Sequence, residues 1–257
     1  MKITVEKNII FKSLSHVQSI VEKKNAIPVL SNILIEAKNN SLILSATDMD
    51  ISITDTLNCN VIEEGSITVP AHTLYDIIRK LSDDNEIEFI SNDGKIFSIR
   101  SGKSRFSLGC LPKEEFPIIE VDNLKSELSI DSQELLSLIE KTRFAISSEE
   151  TRYFLNGIYF HKNKDTNDDV LTMVATDGHR LAKIDFSSSD DITNMPGVII
   201  PRKTIFELSK LLADYSGNIK INVDPNKIIF FVNKSILISK LIDGSFPDYQ
   251  RVIPDSN

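Results

Sequence analysis

The sequence is poor in sulfur chemistry and in long apolar stretches. Only two cysteines, Cys59 and Cys110, stand in 257 residues, too few for a disulfide framework, and no metal-type His/Cys spacing accompanies them. Both are expected to be small buried hydrophobes. The longest wholly apolar run, Ile228-Ile229-Phe230-Phe231-Val232, has five residues, far short of the ~20 that cross a bilayer, so no membrane partner is expected. No basic-then-apolar leader opens the chain. Met1-Lys2-Ile3-Thr4-Val5-Glu6 already alternates like a strand, and a cytoplasmic location is expected. The nine glycines build no phosphate-cradling loop, nucleophile elbow or zinc signature, so neither cofactor nor metal is expected. What is present is ordinary globular composition, 41% hydrophobic and 26% charged, with 29 basic and 37 acidic side chains and a formal charge of −8. The length suits one large domain or two modest ones.

An internal repeat decides between these. Ile3-Thr4-Val5, followed by an amphipathic run, returns as Leu128-Ser129-Ile130 after 125 residues. Ser31-Asn32-Ile33-Leu34-Ile35 returns as Leu155-Asn156-Gly157-Ile158-Tyr159 at an offset of 124. Ala46-Thr47-Asp48 matches Ala175-Thr176-Asp177 at 129, with the polar insert Lys162–Asp168 absorbing the difference. Val69-Pro70 matches Ile200-Pro201 at 131, and Leu111 with Phe116-Pro117 matches Leu241 with Phe246-Pro247 at 130. Five landmarks in one order give two copies of one domain, 1–122 and 126–248, joined near Val121–Lys125.

Each copy reads as a short strand, a helix, three strands, a fourth strand leading into a second helix, and three more strands. The helical windows are 9–22, with Ile10, Leu14, Val17 and Val21 inward; 72–81, with Leu74, Ile77, Ile78 and Leu81 inward; 133–144; and 202–213, with Ile205, Leu208, Leu211 and Leu212 inward. Strands are expected near 30–36, 42–46 and 50–57, and turns at Asn39-Asn40, Asp93-Gly94, Asp224-Pro225-Asn226 and Asn233-Lys234. Two helices and about eight strands per copy give the α+β class, helices on one side of antiparallel sheets.

Charge is segregated by element. With the first window extended to Lys24, the four helices carry +5 and the remainder −13. Basic helices on an acidic protein suit a polyanion held through its phosphates. They equally suit good helix formers solvating an outer face.

Three motifs then give the chain a family. Ala175-Thr176-Asp177-Gly178-His179-Arg180-Leu181-Ala182, Arg100-Ser101-Gly102-Lys103-Ser104-Arg105-Phe106-Ser107-Leu108 and Phe246-Pro247-Asp248-Tyr249 closely resemble the bacterial sliding clamp family, the beta subunit of DNA polymerase III. The resemblance runs from Met1 to Pro254. It implies the DNA-clamp fold and a non-catalytic processivity factor. Family members carry three such domains and close as head-to-tail dimers around duplex DNA, helices lining the hole. By similarity, Lys24, His72, Arg79, Tyr153 and Phe154 match DNA-contact positions, while Glu149 departs by placing a carboxylate where the family has an uncharged polar residue. Leu155, Thr176, Gly178, His179, Arg180, Leu181, Pro247, Arg251 and Val252 match the groove that takes peptide motifs from the polymerase alpha subunit, clamp-loader subunits and other clamp-binding proteins. His72–Lys80 and Lys103–Leu108 match one side of the dimer contact. The resemblance further implies that 249–257 opens a linker to an absent third domain, which in the family completes both the groove and the dimer contact. The chain is accordingly expected to be a two-domain fragment that binds partner peptides weakly and does not form the ordinary closed dimer.

Two other readings compete. Asp177, His179 and Arg180 could in principle serve acid–base chemistry, yet Thr47-Asp48 occupies the same place in the other copy without a histidine, which fits a turn better than catalysis. A tandem scaffold that binds peptides without encircling DNA is the remaining alternative.

Overall fold

The computed structural model describes residues 1–254 apart from 24, 84–85, 93, 119–125, 164–168, 189, 191 and 194, with Ser126 described in its backbone only. Lys24, Asp93, the expected join at Val121–Lys125 and most of the Lys162–Asp168 insert therefore lie outside the described residues. The chain divides into two compact units, Met1–Asp122 with Ile229–Ile238, and Asn123–Ile228 with Ser239–Asn257.

The first unit runs β1 (Lys2–Glu6), α1 (Lys7–Val17), β2 (Asn32–Lys38), β3 (Ser41–Thr47), β4 (Ile51–Asn58), β5 (Asn60–Glu63), β6 (Gly65–Pro70), α2 (Ala71–Lys80), β7 (Glu86–Ile90), β8 (Ile96–Ser101) and β9 (Ser104–Gly109). Its strands lie in the orders β5-β1-β7-β8-β9 and β4-β3-β2-β6, and the ladders described within it are antiparallel. Alternation explains the burial: Ile33, Ile35 and Ala37, all buried, share one face of β2. Ile10 and Leu14 of α1 are fully buried, and Phe89 on β7 packs on Phe97 of β8 with ring centroids 4.9 Å apart. Helices α1 and α2 lie together, with Phe11 stacked on Tyr75 at 5.4 Å. The Lys7 ammonium, nearly buried, reaches the Leu81 carbonyl and Asp83 just beyond the end of α2.

The second copy of the repeat follows the same plan with β10 (Ser126–Asp131), α3 (Ser132–Glu140), β11 (Gly157–Lys162), β12 (Val170–Thr176), β13 (Leu181–Ser187), β14 (Val198–Pro201), α4 (Arg202–Ala213), β15 (Asn218–Val223), β16 (Lys227–Val232) and β17 (Ser235–Lys240), of which Ile229–Ile238 groups with the first unit. One sheet has the order β13-β12-β11-β14, and β10 pairs with β15 from Ser126↔Val223 to Asp131↔Asn218. Ile205, Leu208, Leu211 and Leu212 of α4 are buried, as their spacing predicts.

The first copy thus has nine strands and the second eight. Sequence periodicity misses β5, whose four residues are mostly exposed and carry no alternating signal. Two helices are shorter than their apolar spacing suggests. α1 ends at Val17, and Ile20 and Val21 are buried from a turn tightened by i→i+3 bonds to Val17 and Gln18. α3 ends at Glu140, where the Thr142 hydroxyl donates back to the Leu138 and Ile139 carbonyls. Trimmed to their observed lengths, the four helices hold seven basic and four acidic residues, a net of +3, and α3 is itself acidic through Glu134 and Glu140. The expected charge segregation is weaker than the windows imply. Cys59 and Cys110 are unoxidised thiols, half-buried rather than buried; the Cys110 Sγ–H donates to the Leu108 carbonyl at 3.6 Å, and partial burial pushes the Cys59 thiol up.

Strand register also corrects one repeat offset. Asn32 pairs with Pro70, and Gly157 pairs with Pro201. The residue equivalent to Asn32 is therefore Gly157, an offset of 125, and not Asn156. Gly157 suits that position because an added Cβ would stand 2.2 Å from the Ile200 carbonyl oxygen.

Candidate functional site

The β12–β13 connection is built from its own hydrogen bonds. Asp177 Oδ1 accepts from the His179 and Arg180 backbone N–H groups at 3.0 Å each. Thr176 Oγ1 donates to the Arg180 carbonyl at 2.8 Å and accepts from the Gly178 N–H at 3.1 Å. The β3–β4 connection makes the same set: Asp48 Oδ1 accepts from Asp50 and Ile51, and Thr47 Oγ1 bonds the Ile51 carbonyl and the Met49 N–H. The third residue has positive φ in both, Met49 at 81° and Gly178 at 87°. The backbone N–H groups of His179 and Arg180, then the Arg180 guanidinium, hold the Asp177 carboxyl at a pKa of about 2. A carboxylate so engaged is a turn-former, and the acid–base reading loses its central group.

Around this turn the second unit collects cations on aromatic rings. The Arg180 guanidinium lies 5.7 Å over Phe144 while its Nε–H donates to Asp177 at 2.9 Å. Arg143 and Arg202 lie over the one Phe206 ring, at 5.7 and 5.4 Å. Arg152 grips Glu149 through two hydrogen bonds, 2.8 and 2.6 Å, and its Nη1 occupies the space a Cβ at Gly178 would need. Glu149, unfavourable for phosphate as an isolated carboxylate, thus carries its own counter-ion. Arg202 and Phe206 stand four apart on α4, a spacing that helical periodicity could have revealed, whereas Arg180 over Phe144 and Arg143 over Phe206 meet across tens of residues and left no such signal.

Among the expected DNA-contact residues, Tyr153 is 54% exposed, so it does not serve merely as a core cap. Phe154 is half-buried against it, edge to face at 5.7 Å. Arg79 is exposed, paired with Asp76 at 2.9 Å and 5.8 Å over Tyr75. A His72 ring nitrogen is 3.0 Å from the Val21 carbonyl oxygen, an engagement that binds it to the chain's own backbone.

The peptide-groove set arrives in three groups. Leu155 is buried at the end of the Glu150–Leu155 3-10 turn. Thr176 and Leu181 pair across the β12–β13 ladder and are half-buried, and Gly178, His179 and Arg180 are exposed on the turn. Pro247, Arg251 and Val252 are all exposed on the segment after β17. The pairs Tyr159↔Val174 and Thr176↔Leu181 put Tyr159, Val174, Thr176 and Leu181 on one face of the sheet. Phe246 stacks on Tyr159 of that face, centroids 5.0 Å apart and nearly parallel, so the Pro247–Val252 segment is tied to the face that carries Thr176 and Leu181. In the first unit, β9 is an edge strand of its sheet, and its Phe106 is 38% exposed.

Comparison with known proteins agrees with this arrangement. Family models for the N-terminal and central domains of the DNA polymerase III beta subunit match residues 1–120 and 129–248. The curated beta sliding clamp of Caulobacter vibrioides is 46% identical over all of this chain, which spans 69% of that relative's length. That of Pseudomonas putida is 35% identical over 99% of the chain and 68% of its own. Among solved structures, the sliding clamp of Bartonella birtlesii bound to griselimycin superposes with a TM-score of 0.94 at 48% identity, covering 99% of this chain and 68% of that one. The polymerase III beta of Caulobacter crescentus gives 0.94 at 46%, covering 100% and 70%. With both repeats matched in order and the repeated Thr-Asp turn in place, the chain belongs to the beta sliding clamp family, the beta subunit of DNA polymerase III.

Proposed function

We propose that this chain is a non-catalytic processivity factor, holding a replicative polymerase on duplex DNA by encirclement and receiving its partners through a peptide-binding groove. Residues 1–122 and 126–248 act as successive clamp domains, with 249–257 opening a linker. Arg79 in the first unit, and Arg143 and Arg202 together with Tyr153 and Phe154 in the second, contact the DNA backbone without reading bases; Lys24 and His72 are assigned to DNA contact by family position. Leu155, Thr176, Leu181, Pro247 and Val252 supply an apolar wall for aliphatic or aromatic anchors, and His179, Arg180 and Arg251 rim it for peptide carbonyls and carboxylates. Lys103–Leu108 and His72–Lys80 correspond to one side of the family's head-to-tail subunit contact. A cytoplasmic place accords with this role, and no helix among the described residues is long and apolar enough to cross a membrane.

The observation that carries the reading is the Thr176–Leu181 turn with Arg180 braced on Phe144 and Asp177, an exposed cation beside apolar positions. Griselimycin, bound by the relative from Bartonella birtlesii, is a suitable probe. Calorimetric titration is expected to show binding that Arg180→Ala weakens several-fold, and an unaltered titration would remove Arg180 from the groove. Encirclement is tested on DNA: a ring loaded on a nicked circle should withstand salt and run off once the circle is cut. Equal retention on both forms would instead mark a peptide scaffold with a surface contact.

A further inference from the structure

The segment that carries Pro247, Arg251 and Val252 has one buried side chain between 247 and 254. That residue is Tyr249, 7% exposed, whereas Arg251, Val252, Ile253 and Pro254 are all exposed. Tyr249 opens the 3-10 turn Tyr249–Val252, so its placement fixes the two groove residues two and three positions further on. Its hydroxyl lies 3.0 Å from His161 Nε2 on β11. The other ring nitrogen, Nδ1, lies 2.7 Å from the Lys162 carbonyl oxygen. A carbonyl can only accept, so Nδ1 carries the proton, and whenever the ring is neutral Nε2 is the acceptor for the Tyr249 O–H. Tyr159 locks the imidazole from the side, stacked at 4.4 Å, and on its own account stacks Phe246. Two consecutive aromatic anchors of the segment, Phe246 and Tyr249, thereby meet two same-face residues of one strand, Tyr159 and His161. The Arg251 side chain reaches its near neighbour Asp248, Nε–H donating to Oδ2 at 2.7 Å.

We infer that His161 and Tyr249 are positioning residues: their hydrogen bond sets where Arg251 and Val252 stand over the β11–β12–β13 sheet, and so tunes peptide affinity without touching the peptide. This rests on the groove reading above. The bond selects a single imidazole tautomer and one Tyr249 rotamer. Losing it leaves the ring buried but free to shift, and the exposed turn moves with it.

Tyr249→Phe keeps the ring and removes the hydroxyl; His161→Phe keeps the stack on Tyr159 and removes the acceptor. In the ligand-free chain, ring-nitrogen resonances should identify His161 as the Nδ1–H tautomer. Both substitutions should displace the Val252 methyl and Arg251 Nε–H signals while the thermal midpoint stays nearly constant. Griselimycin affinity should fall about three- to tenfold in each, the scale of one net hydrogen bond. Combining Tyr249→Phe with Val252→Ala should cost less than the two separately, as expected if Tyr249 acts through Val252. Unmoved Val252 and Arg251 signals, or additive losses in the double variant, overturn the inference. A parent chain that fails to bind griselimycin overturns the groove reading instead, and the Val252 and Arg251 signals then decide the positioning role by themselves.

Discussion

At the scale of single residues, the two Thr-Asp turns form a natural experiment, since one has glycine and the other methionine at the same left-handed position. At Gly178, φ is +87° and a Cβ would sit 2.6 Å from Arg152 Nη1. The end of a long side chain can yield, so the backbone term dominates. Gly178→Ala is expected to destabilise by about 1–2 kcal/mol in urea unfolding, and to loosen the Arg152–Glu149 pair. Met49 already bears the equivalent strain at φ 81°, so Met49→Gly should be neutral or stabilise by up to about 1 kcal/mol, glycine's unfolded-state entropy offsetting part of the relief. The Asp177 carboxyl offers a third test. Its pKa of about 2 lies below the unfolded value, so its contribution is complete above about pH 4 and disappears as pH falls through 2. Asp177→Asn should flatten the acid limb of a stability-against-pH curve over that window. The sequence exposed the Thr-Asp repeat and therefore the turn. It could not expose Arg152 beside Gly178, because nothing in the spacing of 152 and 178 predicts contact.

At the scale of elements, helix ends decide what was legible. Apolar spacing placed all four helices and most of their inward residues, since burial enforces a 3.6-residue period. It overran α1 and α3 because Ile20, Val21 and the segment past Glu140 continue the burial without continuing the helix. Only α3 among the four has a side-chain N-cap, Asp131, which accepts from the Gln133 and Glu134 N–H groups at 2.9 and 3.0 Å. Asp131→Ala should cost about 1 kcal/mol, read as a lowered midpoint in chemical denaturation. The α1–β4 contact adds a pH-sensitive element. Burial pushes the Asp55 carboxyl on β4 up, but the His16 imidazole, whose Nδ1 lies 3.9 Å from Oδ2, together with Ser13 and the hydrogen bond from Ser235, outweighs it and leaves the pKa below the usual carboxylate value. A lowered pKa in the folded state means stability that is present at neutral pH and lost as acid protonates the group. Asp55→Ala should therefore destabilise at pH 7, by about 1–3 kcal/mol for the polar partners it strands, and the penalty should shrink below about pH 4. A penalty independent of pH would mean that Asp55 acts through packing rather than charge.

At the scale of the whole molecule, an acidic protein of net charge −8 must hold a polyanion through local fields, since its total charge opposes the approach. The sequence-level version of this idea assigned +5 to the helices, and the observed helices retain +3. The lost charge has partly moved to the turns: Arg143 lies beyond α3, yet shares the Phe206 ring with Arg202 at the start of α4. The ring's negative face and, for Arg143, the Glu140 carboxylate 3.8 Å from Nη2 offset the like charges gathered there. Two guanidiniums sharing one platform concentrate positive charge for phosphates in a way that a solvated helix face does not. The consequence is measurable with a short labelled duplex. Affinity should fall with salt, with little dependence on base sequence, and each arginine truly meeting a phosphate should contribute about 0.9 to the slope of log affinity against log salt. Arg143→Ala with Arg202→Ala should lower that slope by about 1–2 and weaken all sequences alike. Phe206→Leu, which keeps both charges but removes their platform, should leave the slope largely intact and reduce affinity less. A double alanine variant with the parental slope would return these arginines to the role of solvated surface, and leave Arg79, Tyr153 and Phe154 to carry the contact.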